Sequence, residues 1–122
     1  MVYKTFEELK VWNDARILSK HIYSVTKGMS FSKDFGLRDQ VQRASVSILS
    51  NISEGFERDS NREFVRFLTY AKGSCGEVRS ILYVELDQTY ISHDEFDFLK
   101  SQCITVATQI SNFMKYLRKT NK

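Results

Sequence analysis

The sequence predicts an all-α domain, an antiparallel up-down-up-down four-helix bundle, on three observations. The chain has no proline and only 5 glycines in 122 residues, whereas β-sandwiches and barrels need both at their frequent turns. Three stretches carry the Ser/Thr-x-x-Glu pattern that opens a helix. Four stretches repeat apolar residues in alternating steps of three and four, which lays one stripe along each helix. A chain of this length makes a single domain over residues 1–122.

The first helix is signalled by Thr5-Phe6-Glu7-Glu8, where the Thr hydroxyl accepts from the third backbone N–H and Glu8 reaches back. Its seam is Val11, Ala15, Leu18, Ile22 and Val25. The second starts between Ser30 and Asp34, after a break at Gly28, with the seam Leu37, Val41, Ala44, Ile48 and Ile52. Ser60-Asn61-Arg62-Glu63 opens the third, with Phe64, Leu68, Ala71, Cys75, Val78 and Leu82. Ser92-His93-Asp94-Glu95 opens the fourth, with Phe96, Leu99, Cys103, Val106, Ile110, Phe113 and Leu117. Short loops near residues 28–34, 57–60 and 90–92 make sequential helices antiparallel neighbours.

Composition narrows the function classes. With 27% charged and 13% aromatic residues the chain is not intrinsically disordered. No apolar run approaches the roughly 20 residues of a membrane span, and MVYKTFEELK has no apolar signal-peptide core. A soluble, cytoplasmic protein without membrane contact is expected. Two cysteines form no disulfide framework, in keeping with a reducing compartment. A net charge of +3 permits nucleic-acid binding without requiring it.

Catalytic chemistry finds little support. His21 and His93 lack a Glu or His partner at the spacing of a bundle metal site, so no metal is expected. Cys75 and Cys103 fall on apolar seams, where cysteine acts as a small hydrophobe. Gly73-Ser74-Cys75-Gly76 lies inside a helical run with no preceding strand, unlike a nucleophile turn. Neither a catalytic site nor a cofactor is predicted.

The second helix carries a polar stripe beside its seam: Gln40, Arg43, Ser47, Asn51, Glu54 and Arg58. A hairpin centred near residues 59–60 sets Arg43 within about one turn of Glu77. Partial burial of this stripe is expected, with a structural role in fixing helix register and direct ligand contact as the alternative.

Gln40 to Gly55, QVQRASVSILSNISEG, resembles the signature of a four-helix-bundle family, the 23S rRNA-intervening-sequence proteins. FEELKVW at Phe6 to Trp12, FGL at Phe35 to Leu37, and Glu63, Phe64, Ala71, Gly73, Ser74 and Glu77 add to the resemblance. A proline common before FGL is missing. The resemblance implies an antiparallel bundle that assembles as a homopentamer, and it brings no active site. Some members are encoded within insertions in 23S rRNA genes. A distant relative, the accessory protein of diversity-generating retroelements, is a basic pentamer that binds nucleic acid and a reverse transcriptase.

Two functions follow as expectations. The first is a non-enzymatic homo-oligomer that contacts RNA or DNA through a basic end. The alternative is a protein-binding scaffold or adaptor, for instance for a polymerase-like partner, without nucleic-acid contact. In an up-down bundle one end collects Lys4, Lys10, Arg58, Arg62, Arg66, Lys115, Arg118, Lys119 and Lys122 against Glu7, Glu8, Glu54, Glu57, Asp59 and Glu63. The excess is three positive charges. The other end sets Lys27, Lys33, Arg38 and Lys100 against Asp34, Asp39, Glu85, Asp87, Asp94, Glu95 and Asp97, an excess of three negative charges. The candidate nucleic-acid residues are Arg58, Arg62, Arg66, Lys115, Arg118 and Lys119. Helix-dipole preference accounts for bases at the end of the fourth helix, but not for Arg62 and Arg66 in the first turns of the third. Apolar residues off the seams, namely Trp12, Leu49, Phe56, Phe67, Tyr70 and Tyr83, predict a surface that oligomerisation covers.

Overall fold

Four helices carry the chain in the computed structural model, which describes residues 2–120: α1 Lys10–Val25, α2 Phe35–Phe56, α3 Asn61–Asp87 and α4 His93–Thr120. No strand occurs among the described residues. α3 packs against α2 on one side and α4 on the other, and the shorter α1 closes the bundle between α2 and α4. Lys122, expected at the basic end, lies outside the described residues.

Local chemistry sets each start. Asp34 accepts from the backbone N–H of Leu37 at 3.2 Å and caps α2. Ser60 caps α3 through the N–H of Glu63, and Ser92 and Glu95 form a reciprocal box at α4. The Thr5–Glu8 box also forms, yet it closes only a 3₁₀ turn over Phe6–Glu8. α1 begins later because Leu9 adopts an extended backbone that drops its side chain into the core. Asn13 then donates to the carbonyls of Glu7 and Leu9, joining the turn to the helix. The tight turns after α2 and α3 place Asp59 and Thr89 in the left-handed region, at φ 53° and 57°.

The predicted seams meet in one core, in which Ala15, Leu18, Ile22, Val41, Ile48, Ile52, Leu68, Val78, Leu82 and Ile110 are all fully buried. At the tail of α4 the buried residues are Met114 and Leu117, while Phe113 is only half-buried and packs edge-on to Phe64. Polar links are few and specific. Ser19 and Ser45 share a buried hydrogen bond of 3.1 Å between α1 and α2. His21 and Gln102 join α1 to α4 at 3.0 Å, and Gln109 donates to Asp14 at 2.8 Å. His21 is thus an interhelical hydrogen-bonding residue.

Two expectations change. Glu85, counted among the acids of the opposite end, is fully buried, and neither carboxylate oxygen has a hydrogen-bond partner among the described residues. Desolvation pushes its carboxyl up to about 8, so it adds little negative charge to that end at neutral pH. Phe67 is buried and Trp12, Leu49 and Phe56 are half-buried within one chain. The bundle therefore covers most of the apolar residues assigned to subunit contacts. Tyr70 and Tyr83 remain exposed, together with Ile17, Phe98 and Ile104.

Candidate functional site

The α3–α4 face is where unopposed charge gathers. No acidic residue occurs from Phe98 to the end of the chain, and none from Phe64 to Gly76. Between the two helices runs a groove of about 660 Å³ whose lining includes Lys72, Arg79 and Lys115, with Thr69, Thr108, Ser111 and Asn112, and no carboxylate. None of the three cations has an ion-pair partner among the described residues. Such a lining presents donors and positive charge, the requirements of a phosphate-bearing ligand.

The groove exists because α3 is small along this flank. Gly73 and Gly76 line it, and among the described residues nothing beyond the local helix backbone and chain neighbours lies within 4 Å of where either Cβ would stand. A glycine in a helix interior costs about 1 kcal/mol relative to alanine. No contact among the described residues requires either one, so both leave backbone open to something outside the bundle. Cys75 and Cys103 lie at the floor, buried and free. Burial pushes both thiols up to about 12, which keeps them protonated and unreactive.

The predicted basic end does come together in space. Asn61 donates to the Leu117 carbonyl at 3.4 Å, so the tail of α4 lies beside the start of α3. Arg62, Arg118 and Lys119 share this corner as exposed cations without an ion-pair partner among the described residues. Lys115 lines the adjoining groove. Arg66 is engaged differently. It makes a two-pronged pair with Glu63 at 2.8 and 3.2 Å, donates to the Tyr70 hydroxyl at 3.0 Å, and stacks over Phe67. Hydrogen bonding to Arg66 holds the Glu63 carboxyl below its ordinary value. Arg58 also lies over the Phe67 ring, 4.9 Å from its centroid, and 4.0 Å from Glu54. This pairing gives Arg66 a place in α3 despite the unfavourable dipole.

The polar stripe of α2 splits into two parts. Ser47 and Asn51 are half-buried, with Ser47 accepting from Ser74 of α3 at 3.0 Å and Asn51 donating to the Ser47 carbonyl at 2.8 Å. Gln40, Arg43, Glu54 and Glu77 are exposed. Arg43 and Glu77 line one shallow hollow, as hairpin register predicts, but Glu77 accepts from Gln40 at 3.4 Å and makes no ion pair with Arg43.

Lys72 and Arg79 lie mid-helix in α3, outside the candidate residues that the sequence offers. They stand apart from Lys115 along the bundle axis, yet all three face one groove on the α3–α4 flank. The acid-free run from Phe98 onward is the sequence signal that points to this face.

A second surface lies between α1 and α4, where Ile17 and Phe98 flank a hollow bordered by Asp14 and Gln102. Ile17 is 46% exposed and Phe98 53%. Among the described residues no helix is long and apolar enough to cross a membrane.

A family model described as 23S rRNA-intervening sequence protein matches residues 7–112. A solved structure from Bacteroides thetaiotaomicron, a protein with unknown function from the S23 ribosomal protein family, superposes with a TM-score of 0.78. It is 19% identical, and the alignment covers 86% of this chain and 98% of that one. At that identity the likeness shows the fold. No curated protein matches the chain.

Proposed function

The chain belongs to the 23S rRNA-intervening sequence protein family, and from that premise we propose a non-enzymatic homo-oligomer that holds RNA or DNA on a basic surface in the cytoplasm. The observation that carries this reading is the corner where Arg62, Arg118 and Lys119 gather, joined through Lys115 to a flank without acids. Contacts of this kind neutralise phosphates irrespective of base sequence. A ring of subunits repeats the corner and multiplies a weak contact into a strong one. Five subunits is the number that the family resemblance implies.

Exposed apolar side chains support assembly. Ile17 and Phe98 sit together on the α1–α4 hollow, and apolar clusters of this kind mark protein contacts. The same hollow supports a second reading, a scaffold or adaptor that docks a protein partner there and makes no nucleic-acid contact.

Neutralising Arg62, Arg66, Arg118 and Lys119 together tests the main reading. Loss of oligonucleotide retention, with helicity and oligomer mass intact, is expected. Retention equal to that of the parent at low salt would instead favour the adaptor. Light scattering that gave a monomer mass at micromolar concentration would remove the assembly from the proposal.

A further inference from the structure

We propose that the α3–α4 groove is a seat for the sugar–phosphate backbone of a single-stranded nucleic acid, with Lys72, Arg79 and Lys115 as its phosphate contacts. This rests on the nucleic-acid reading above and gives it a site distinct from the basic corner. The cations are free of carboxylate partners among the described residues, and hydroxyl and amide groups lie between them. Gly73 and Gly76 leave the floor open to close approach of another backbone.

The track extends beyond the groove itself. Tyr83 follows Arg79 by one helical turn on the same flank. Lys100 of α4 lies 5.6 Å from the centre of its ring. At the other end Arg62 leads into Lys115. From Arg62 to Arg79 is about 25 Å along the helix at 1.5 Å per residue. That length suits the several-nucleotide footprint of single-strand binders, which combine a positive groove with exposed aromatic rings. Tyr83, 46% exposed, supplies such a ring. Packed helix axes lie only about 8–10 Å apart, so a duplex would touch the rim of this groove while a single strand enters it.

Fluorescence anisotropy of a labelled oligouridylate of about 10 nucleotides, with the intact protein, tests the site. Gly76→Leu fills the groove without changing charge, and its Cβ has free space. It should weaken binding at least about tenfold, with helicity and oligomer mass unchanged. Lys72→Gln with Arg79→Gln should weaken binding and make the slope of log K against log salt shallower by about 1.4. If the parent binds and both variants bind equally well, the groove assignment fails while the proposed function stands. If the parent itself does not bind, the proposed function fails and this inference with it. A fall in oligomer mass for Gly76→Leu would assign the groove to a subunit contact and overturn the proposal. Duplex RNA competing as well as the single strand would overturn it too.

Discussion

A methyl group on Gly55 would stand 2.7 Å from the Cβ of Phe67, closer than any packed carbon tolerates. It would also lie 2.9 Å from the Phe64 ring. Gly55 is buried in the last turn of α2, and its missing side chain is what lets α3 begin against that turn. The aromatic group at this end depends on the approach, because Phe64 packs on Phe56 and Phe113, and Phe67 carries Arg58 and Arg66 above its ring.

Gly55→Ala should therefore destabilise the protein by about 1–3 kcal/mol, even though alanine is the better helix former. Urea unfolding of the two proteins measures this directly. A gain in stability would mean that the helices are free to separate at no cost.

Glu85 should make stability depend on pH. Its carboxyl is raised from 4.5 to about 8 by burial, so the folded protein keeps a proton that the unfolded chain has released. The sign follows from linkage: stability is full below about pH 4.5 and declines as pH rises towards about 8. Glu85→Gln removes this titration. The stability difference between variant and parent should grow in the variant's favour by a few kcal/mol across that window. Thermal or urea unfolding at several pH values checks it, and the other titrating groups cancel in the difference. A constant difference would show that Glu85 is ionised in the folded state.

The helices, their order and nearly all of their buried seams are legible in the sequence because periodicity records which side of a helix loses water. The α4 seam departs at its tail, where Met114 is buried ahead of Phe113. Glu85 stands three residues after Leu82, the next step of the α3 seam, so the periodicity marks it for the core and only its carboxylate makes it read as a surface acid. The α3–α4 turn starts from the same residue, with the Tyr90 N–H donating to the Glu85 carbonyl at 2.9 Å. The start of α1 was obscured for a related reason. A Thr-x-x-Glu box satisfies a 3₁₀ turn as well as a longer helix, and the burial of Leu9 decides between them. On the candidate site, Lys115 was visible but its neighbours across the groove were not. Charge sorted by bundle end does not report which flank of a helix faces which neighbour.

Arg43→Ala should cost the isolated chain less than about 0.5 kcal/mol. Arg43 and Glu77 share a hollow, yet both are exposed and unpaired with each other, so removing one leaves no buried charge behind. Urea unfolding at low protein concentration measures this. A loss of about 1–3 kcal/mol would show that Arg43 and Glu77 form a desolvated pair within the single chain.

The salt dependence of oligonucleotide binding by the unmodified protein tests the central claim most directly. Three phosphate contacts, those of Lys72, Arg79 and Lys115, should give log K falling linearly with log salt, with a slope of about −2 or steeper on a single strand. A slope near zero, or no binding at all by protein with its helicity and assembly intact, would contradict a phosphate-holding surface and leave the adaptor as the better account.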